Sequence, residues 1–176
     1  MKKIISFVAF AFMLFNLTSC AEKIVVNRVV DSEKYGKILL GPQTRSQFSK
    51  EPFNSWYDYG YKEYEFDKTL IDQLKKNKIT SYHITVVLGT WCSDSQREVP
   101  RLMKILDAVK FPEGKLHIIG LTRKKEGING EEVQYGIKKV PTIIVERYGQ
   151  EIGRITETPQ TGSLERDLLD IIKKKR

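Results

Sequence analysis

The chain has 176 residues, a length typical of about one domain. Apolar residues make up 40% and charged residues 30% of it, which excludes wholesale disorder, a collagen-like fibre and a protein with several membrane spans. Lysine and arginine outnumber the acids by 30 to 22 with the two signs interspersed, and cysteine occurs only as Cys20 and Cys92. Two cysteines are too few for a scaffold of several disulfides or for a cysteine-built zinc site.

Residues 1–19 are typical of an export signal. Two lysines precede an apolar stretch that is shorter than the roughly 20 residues needed to cross a bilayer. The segment ends in Leu17-Thr18-Ser19-Cys20, which resembles the lipobox of bacterial lipoproteins. The resemblance implies cleavage before Cys20, lipid on that residue, and a lipid-anchored place in the bacterial cell envelope, periplasm-facing or at the outer membrane. An ordinary signal peptide and a plain N-terminal membrane anchor are the alternatives.

Residues 20–66 are expected to form a tether and an aromatic-rich N-terminal extension. We predict a first strand around Ile24–Val30 and irregular structure over residues 37–66. We interpret the aromatic side chains of that stretch as packing the extension onto the main core, with a peptide-binding surface as the alternative. They are Phe48, Phe53, Trp56, Tyr57, Tyr59, Tyr61, Tyr64 and Phe66.

From Asp67 onward, hydrophobic periodicity predicts a domain that covers residues 67–176. Asp67 is a good N-cap for a helix whose apolar residues follow at helical spacing. Residues 82–88 form a dense, β-branched apolar run that is typical of a buried strand. A helix that contains Pro100 and a second buried strand over residues 116–121 come next. Strand, helix and strand with short connections predict a right-handed parallel βαβ unit.

The last third of the chain predicts three more elements. A short helix is expected over residues 131–135, followed by a β-hairpin formed by residues 142–147 and 151–155. Ser163 is a good cap for a final helix, which carries acids near its start and lysines at its end.

Cys92 directly follows the predicted strand 82–88 and stands at the start of the next helix. The unpaired N–H groups at a helix start favour a thiolate, which is the nucleophilic form of cysteine. Asp94 acts in the opposite direction, because a nearby negative charge disfavours a thiolate. The end of a strand also places Cys92 at the carboxyl edge of a parallel sheet, where the sites of α/β proteins gather. We therefore expect an activated thiol.

Three features give residues 82–173 a resemblance to the thioredoxin-like superfamily. They are the run Val-Val-Leu-Gly-Thr-Trp-Cys-Ser-Asp-Ser after a core strand, the proline-containing helix behind it, and Val140-Pro141-Thr142 opening a later strand. The chain looks most like thioredoxin-family lipoproteins of Bacteroidetes-type bacteria. The resemblance implies an α/β, thioredoxin-like fold with a central mixed sheet flanked by helices. It also implies that Cys92 is the nucleophile, Trp91 the flanking aromatic, and Pro141 a cis-proline that faces the cysteine.

Ser95 stands where the family holds its resolving cysteine, so the motif is Cys-x-x-Ser. Since serine cannot form a disulfide, shuttling between an internal dithiol and a disulfide is not expected. A monothiol route remains, in which an external thiol or the substrate's own second thiol resolves the intermediate. Ser95 is then expected to donate a hydrogen bond to the Cys92 thiolate.

We therefore predict an envelope protein that exchanges thiols and disulfides through Cys92, with a role in cell redox homeostasis. Its expected substrate is a protein or a small thiol or disulfide, bound by Val140, Pro141 and Thr142, because free backbone at Val140 would pair with an extended chain. A non-catalytic thioredoxin-fold binding lipoprotein is the alternative, and whether the chain is an enzyme stays open. We expect no cofactor, no metal and no nucleic-acid partner, and a membrane contact only through lipid on Cys20.

Overall fold

The computed structural model describes residues 25–174. The predicted export signal over residues 1–19 and the predicted lipid attachment at Cys20 lie outside the described residues. Between residues 25 and 174, no helix combines the length and the apolar character that crossing a membrane requires.

A six-stranded mixed sheet forms the centre of the fold, and its strands lie in the order β1-β2-β4-β3-β5-β6. They are β1 (Arg28–Ser32), β2 (Gly36–Gln43), β3 (His83–Leu88), β4 (Leu116–Gly120), β5 (Thr142–Arg147) and β6 (Gln150–Thr156). Neighbouring strands β3 and β4 run parallel, and the other neighbouring pairs run antiparallel. The predicted α/β class, with a central mixed sheet flanked by helices, is confirmed.

The helices of the described chain are α1 (Asn54–Glu63), α2 (Lys68–Lys76), α3 (Ser93–Ala108), α4 (Glu131–Gln134) and α5 (Leu164–Lys173). The predicted caps form as expected: Asp67 accepts from the first backbone N–H groups of α2, and Ser163 accepts from the N–H of Arg166 in α5. Helix α3 continues through Pro100 and connects the two parallel strands, so the predicted βαβ unit is confirmed.

Two hydrophobic clusters lie on opposite faces of the sheet, because successive strand residues point to opposite sides. On β3, Ile84, Val86 and Leu88 belong to the larger cluster, together with side chains of α1, α2, α3 and α5. Val87 belongs to the smaller cluster, together with Ile119, Leu121, Ile137, Val140 and Ile144. Trp91 and Cys92 pack against this smaller cluster, so the cysteine lies on the same face of the sheet as Val87.

The prediction of irregular structure over residues 37–66 is wrong. Strand β2 pairs with both β1 and β4, and α1 follows it. Gly41 and Pro42 weaken a strand pattern when the sequence is read alone. They are tolerated here because both pair with β4. The two strands lie so close together that a Cβ at Gly120 would come within 2.3 Å of the Leu39 carbonyl oxygen. The predicted first strand also begins later, at Arg28.

The aromatic side chains of the extension join the main core, as interpreted from the sequence. Phe48, Phe53 and Tyr57 are buried in the larger cluster, and Trp56, Tyr61, Tyr64 and Phe66 pack against it. Tyr59 is the exception, with 69% of its surface exposed. The extension and the segment after Asp67 therefore share one sheet and one core.

Candidate functional site

Four loops meet at one edge of the sheet. Parallel strands β3 and β4 end side by side, with Leu88 opposite Gly120, so the loops that follow them emerge together. Strand β5 runs the other way and begins at the same edge, because Thr142 lies opposite Val87. The turn between β1 and β2 reaches this edge too, since β2 is antiparallel to β4. Residues far apart in sequence are thereby brought around Cys92.

Cys92 is the N-cap of the 16-residue helix α3. Its backbone N–H donates to the Gly89 carbonyl, and its own carbonyl accepts from the Gln96 N–H. The backbone N–H groups of Ser93, Asp94 and Ser95 form no hydrogen bond within residues 25–174. These free donors and the helix dipole favour negative charge beside the sulfur.

The half-buried sulfur of Cys92 faces the loop that precedes β5. Its thiol donates to the Val140 carbonyl oxygen with Sγ and O 3.3 Å apart. The next peptide bond, between Val140 and Pro141, is cis. The structure therefore brings together the cysteine and the proline that the resemblance places face to face.

The loop from Lys139 to Thr142 is held by side chains and backbone on both sides. The Thr142 hydroxyl donates to the Lys139 carbonyl over 2.7 Å, and the Glu157 N–H donates to the Pro141 carbonyl over 2.7 Å. The carboxylate of Glu157, 2.6 Å from the Lys139 ammonium, raises the pKa of that lysine. Val140 is 4% exposed, and its N–H forms no hydrogen bond within the described residues. It is a free backbone donor next to the sulfur.

Trp91 is fixed in place beside the cysteine. Its indole N–H donates to the Leu121 carbonyl oxygen over 2.9 Å, which ties the loop after β3 to the loop after β4. The ring lies directly on Gly89, where a Cβ would come within 2.4 Å of a ring carbon. Only glycine leaves room for the indole at that position.

Asp94 and Ser95 lie in the first turn of α3, and each has a partner other than the sulfur. A carboxylate oxygen of Asp94 lies 2.8 Å from an Arg97 nitrogen, which offsets the negative charge near Cys92. Ser95 is fully buried, and its hydroxyl accepts from the Gly89 N–H over 3.2 Å. The hydrogen bond of Ser95 in this structure goes to Gly89, so its expected bond to the Cys92 thiolate stays a prediction.

The sequence reasoning missed an aromatic and cationic platform at this edge, formed by Tyr35, Trp91 and Arg123. The Arg123 guanidinium carbon lies 4.7 Å from the Trp91 ring centroid and 5.5 Å from that of Tyr35. The two ring centroids are 6.4 Å apart. The sequence could have indicated Arg123, because this residue closely follows a predicted strand that ends at the carboxyl edge of the sheet, where functional residues gather.

A cavity of about 880 Å³ lies away from Cys92, near the C-terminal end of α3. Arg45 donates to Asp107 there over 2.6 Å, and the Tyr61 hydroxyl donates to the same carboxylate over 2.6 Å. The hydrogen bond from Arg45 lowers the pKa of Asp107. Burial, reinforced by the bond to Asp107, raises the pKa of Tyr61 to about 12. This network ties the extension to α3 and contains no nucleophile of its own.

His83 and His117 stand at the opposite edge of the sheet from Cys92. Both are exposed, and their rings stack with centroids 6.2 Å apart. Across residues 25–174, no group of three or more His, Cys, Asp or Glu side chains is placed to hold a metal ion.

No protein-family model and no curated protein matches this chain. Among solved structures, it is similar to a protein of unknown function from Pseudomonas aeruginosa, with a TM-score of 0.59 and 14% identity over 77% of this chain and 94% of that one. It is similar to an HIV epitope-scaffold with a TM-score of 0.59 and 17% identity, over the same shares of the two chains. Thioredoxin O2 from Arabidopsis thaliana, in its oxidised state, shows a weak similarity, with a TM-score of 0.38 and 14% identity over 64% of this chain and 90% of that one. The first two likenesses show a shared fold.

Proposed function

We propose that this protein exchanges thiols and disulfides through Cys92 alone, in the manner of a monothiol member of the thioredoxin-like superfamily. The observation that carries the proposal is the placement of the Cys92 sulfur. It lies at the free N-terminus of a long helix, half-exposed and 3.3 Å from the carbonyl oxygen that precedes Pro141. A purely structural cysteine needs none of these features.

The first step is attack of the Cys92 thiolate on one sulfur of a substrate disulfide. A new bond forms between Cys92 Sγ and that sulfur while the substrate's S–S bond breaks. The departing sulfur leaves with the electron pair and takes up a proton from water. The product is a mixed disulfide with Cys92 together with one free substrate thiol.

The second step needs a thiol that this motif does not contain, because Ser95 replaces the resolving cysteine. The thiolate of a second molecule, or of a third cysteine in the substrate, attacks the substrate sulfur of the mixed disulfide. Cys92 then leaves as a thiolate, and the attacking thiol ends in the new disulfide. The first choice of thiol gives net exchange with a small thiol, and the second gives isomerisation of the substrate.

The backbone at Val140 supports the binding of an extended substrate. Its N–H has no partner within residues 25–174 although the residue is buried, and buried backbone donors in proteins are nearly always paired. A substrate strand that accepts from this N–H would run alongside residues 140–142 and bring its sulfur to Cys92.

The test uses residues 25–176, in which Cys92 is the only cysteine, and a matched set of variants. After reaction with a peptide disulfide, the native protein is expected to hold one peptide as a mixed disulfide, measured by intact mass, and to release it when a monothiol is added. Cys92→Ser is expected to hold none. Ser95→Cys is expected to release the peptide by itself, since the introduced thiol can resolve the intermediate. A native protein that forms no adduct contradicts the proposal.

A second candidate function, a non-catalytic binding module, is favoured by Ser95, which removes the usual route of turnover. Under that alternative, the groove around Trp91 and Pro141 holds a partner without a covalent step. Complementation separates the two: a Cys92→Ala variant that restores a deletion strain as well as the native gene favours binding.

We also propose that the protein is lipid-anchored at Cys20 in a bacterial cell envelope. The proposal is supported by the Leu17-Thr18-Ser19-Cys20 run behind an apolar export segment. Several acyl chains on one residue would hold the protein firmly, since each buried CH₂ contributes about 0.8 kcal/mol. Labelled palmitate is expected to enter the native protein and not Cys20→Ala, and label in neither contradicts it.

A further inference from the structure

We infer that the platform of Tyr35, Trp91 and Arg123 recognises a carboxylate next to the reacting sulfur, so that the preferred substrates are disulfides flanked by an acidic group. This inference rests on the proposed exchange function and adds a substrate class to it. It starts from the position of Arg123, whose guanidinium lies over the indole of the residue preceding Cys92.

Arg123 lies over two aromatic rings and is not paired with an acid. Among residues 25–174, no carboxylate lies within 4.0 Å of its guanidinium, whereas Arg45, Arg97, Arg101 and Arg154 each have such a partner. Asp94, the acid nearest to Cys92 in sequence, is already paired with Arg97. The charge of Arg123 is therefore available to a ligand.

Side-chain hydrogen bonds hold the guanidinium groups of Arg45 and Arg154, but none within residues 25–174 holds that of Arg123. The guanidinium lies over the rings of Trp91 and Tyr35, and its N–H donors form a planar fork. This fork matches the two oxygens of a carboxylate. The contacts with both rings also restrict the side chain before a ligand arrives, which lowers the entropy lost on binding.

The surrounding side chains reinforce the preference for an anion. The Lys34 ammonium lies 5.6 Å from the Tyr35 ring centroid, on the turn between β1 and β2. Arg123 is followed directly by Lys124 and Lys125, and one acid, Glu126, closes the run. The same turn carries Glu33, so the positive excess beside Trp91 comes from the loop after β4, which has three cations and one acid.

The chain offers a matched control in Arg147. Its guanidinium carbon also lies over two aromatic rings, 5.2 Å from the Tyr82 ring centroid and 5.0 Å from that of Tyr148, and it has no carboxylate within 4.0 Å in the described chain. It lies at the far end of β5, about 17 Å along the strand from Thr142. Comparing variants of the two arginines therefore separates the effect of any arginine that lies over aromatic rings from the effect of an arginine beside Cys92.

The experiment measures the rate at which Cys92 opens two aromatic disulfides. One is 5,5′-dithiobis(2-nitrobenzoate), which carries carboxylates, and the other is the neutral 4,4′-dithiodipyridine. The native protein is compared with Arg123→Gln, Arg123→Lys and Arg147→Gln. Each probe is compared with itself across the variants, so its intrinsic reactivity cancels.

Arg123→Gln is expected to slow the acidic probe by about two- to fivefold, the range that exposed ion pairs provide, and to leave the neutral probe unchanged. Arg123→Lys should lie between, because it keeps the charge and loses the planar fork. Arg147→Gln should change neither rate. The effect should fade between about 10 mM and about 1 M salt, as the screening length falls from about 30 Å to about 3 Å.

Equal slowing of both probes by Arg123→Gln, no change for the acidic probe, or the same effect from Arg147→Gln would overturn the inference. Failure of the native protein to open the neutral probe would overturn the exchange function and this inference with it. A pair of peptide disulfides with Glu or Gln beside the cysteine identifies the source of the carboxylate. A Glu preference that depends on Arg123 indicates protein substrates, and a preference confined to the small probe indicates a small acidic thiol, either of which supports the inference.

Discussion

The thiol of Cys92 donates to the carbonyl oxygen of Val140 across 3.3 Å and so joins two residues that are 48 positions apart in the chain. Neither residue can be placed near the other from local sequence alone. The contact exists because β5 begins at the sheet edge where β3 ends. The geometry of the candidate site thus depends on how firmly the loop before β5 is held.

Thr142 holds that loop, so Thr142→Val is expected to slow exchange through Cys92 several-fold. The change removes the hydrogen bond from the Thr142 hydroxyl to the Lys139 carbonyl and keeps the side-chain shape. The free energy of unfolding should fall by about 1 kcal/mol, the usual contribution of one hydrogen bond. Thr85→Val is the control, because it removes the buried hydroxyl that donates to Glu146 at a distance from Cys92. Stopped-flow reaction with a neutral disulfide should distinguish the two variants, and equal rates would contradict the assigned role of Thr142.

Gly89→Ala is expected to displace the Trp91 ring and to destabilise the fold. The new Cβ would stand 2.4 Å from a ring carbon, so the indole must move and lose its hydrogen bond to Leu121. We expect the free energy of unfolding to fall by about 1–3 kcal/mol, the typical cost of overpacking, and the tryptophan emission to shift.

The control for this variant is Gly114→Ala, since nothing lies within 4 Å of a Cβ at Gly114. Chemical denaturation of both variants compares the costs directly. If Gly89→Ala is as stable as Gly114→Ala and its emission is unchanged, the tight contact with Trp91 is wrong.

Tyr64→Phe is expected to lower the free energy of unfolding by about 1–3 kcal/mol, because it leaves a buried carboxylate short of a donor. Glu165 is 2% exposed and accepts from the Tyr64 hydroxyl over 2.6 Å and from the Asp67 N–H over 2.9 Å. Burial and this hydrogen bond also raise the pKa of Tyr64. Tyr59→Phe, at an exposed position on α1, the helix that ends just before Tyr64, should cost almost nothing. Equal urea midpoints for the two variants would show that the Glu165 contact does not stabilise the fold.

Asp107 is expected to make stability depend on acid pH. Its pKa is lowered from the ordinary value of 3.8, chiefly by the hydrogen bond from Arg45. A lowered folded-state pKa means that the ionised group stabilises the fold above the unfolded value, and that this contribution is lost as the pH falls through the lowered value.

Asp107→Asn should therefore cost about 1 kcal/mol near pH 7, a figure that allows for solvent screening of this partly exposed pair, and progressively less below about pH 4. Asp72→Asn is the control, because Asp72 is exposed and its ammonium partner on Lys75 is 3.8 Å away. Thermal denaturation from neutral to acid pH measures both variants. A cost for Asp107→Asn that stays constant across this range would contradict the lowered pKa.

The sequence predicted most of the regular structure after Asp67, because the elements there depend on preferences of residues that are close together in the chain. The caps at Asp67 and Ser163, the β-branched strand before Cys92 and the hairpin around Tyr148 and Gly149 all formed as expected. Each depends on the residue types within one element, and such preferences act whatever the rest of the chain does. Cys92 was singled out for the same reason, as a thiol between a strand and a helix.

Only the tertiary structure decided the placement of β2, the partner of Ser95 and the platform around Arg123. Strand β2 pairs with β1 over its first part and with β4 over its last, and the pairing with β4 overrides the poor strand propensity of Gly41 and Pro42. Ser95 bonds to Gly89 because the chain turns back on itself before α3. Arg123 meets Tyr35 and Trp91 because three strand ends converge at one edge. Such contacts depend on the order and direction of strands across the sheet, which no short window of sequence contains.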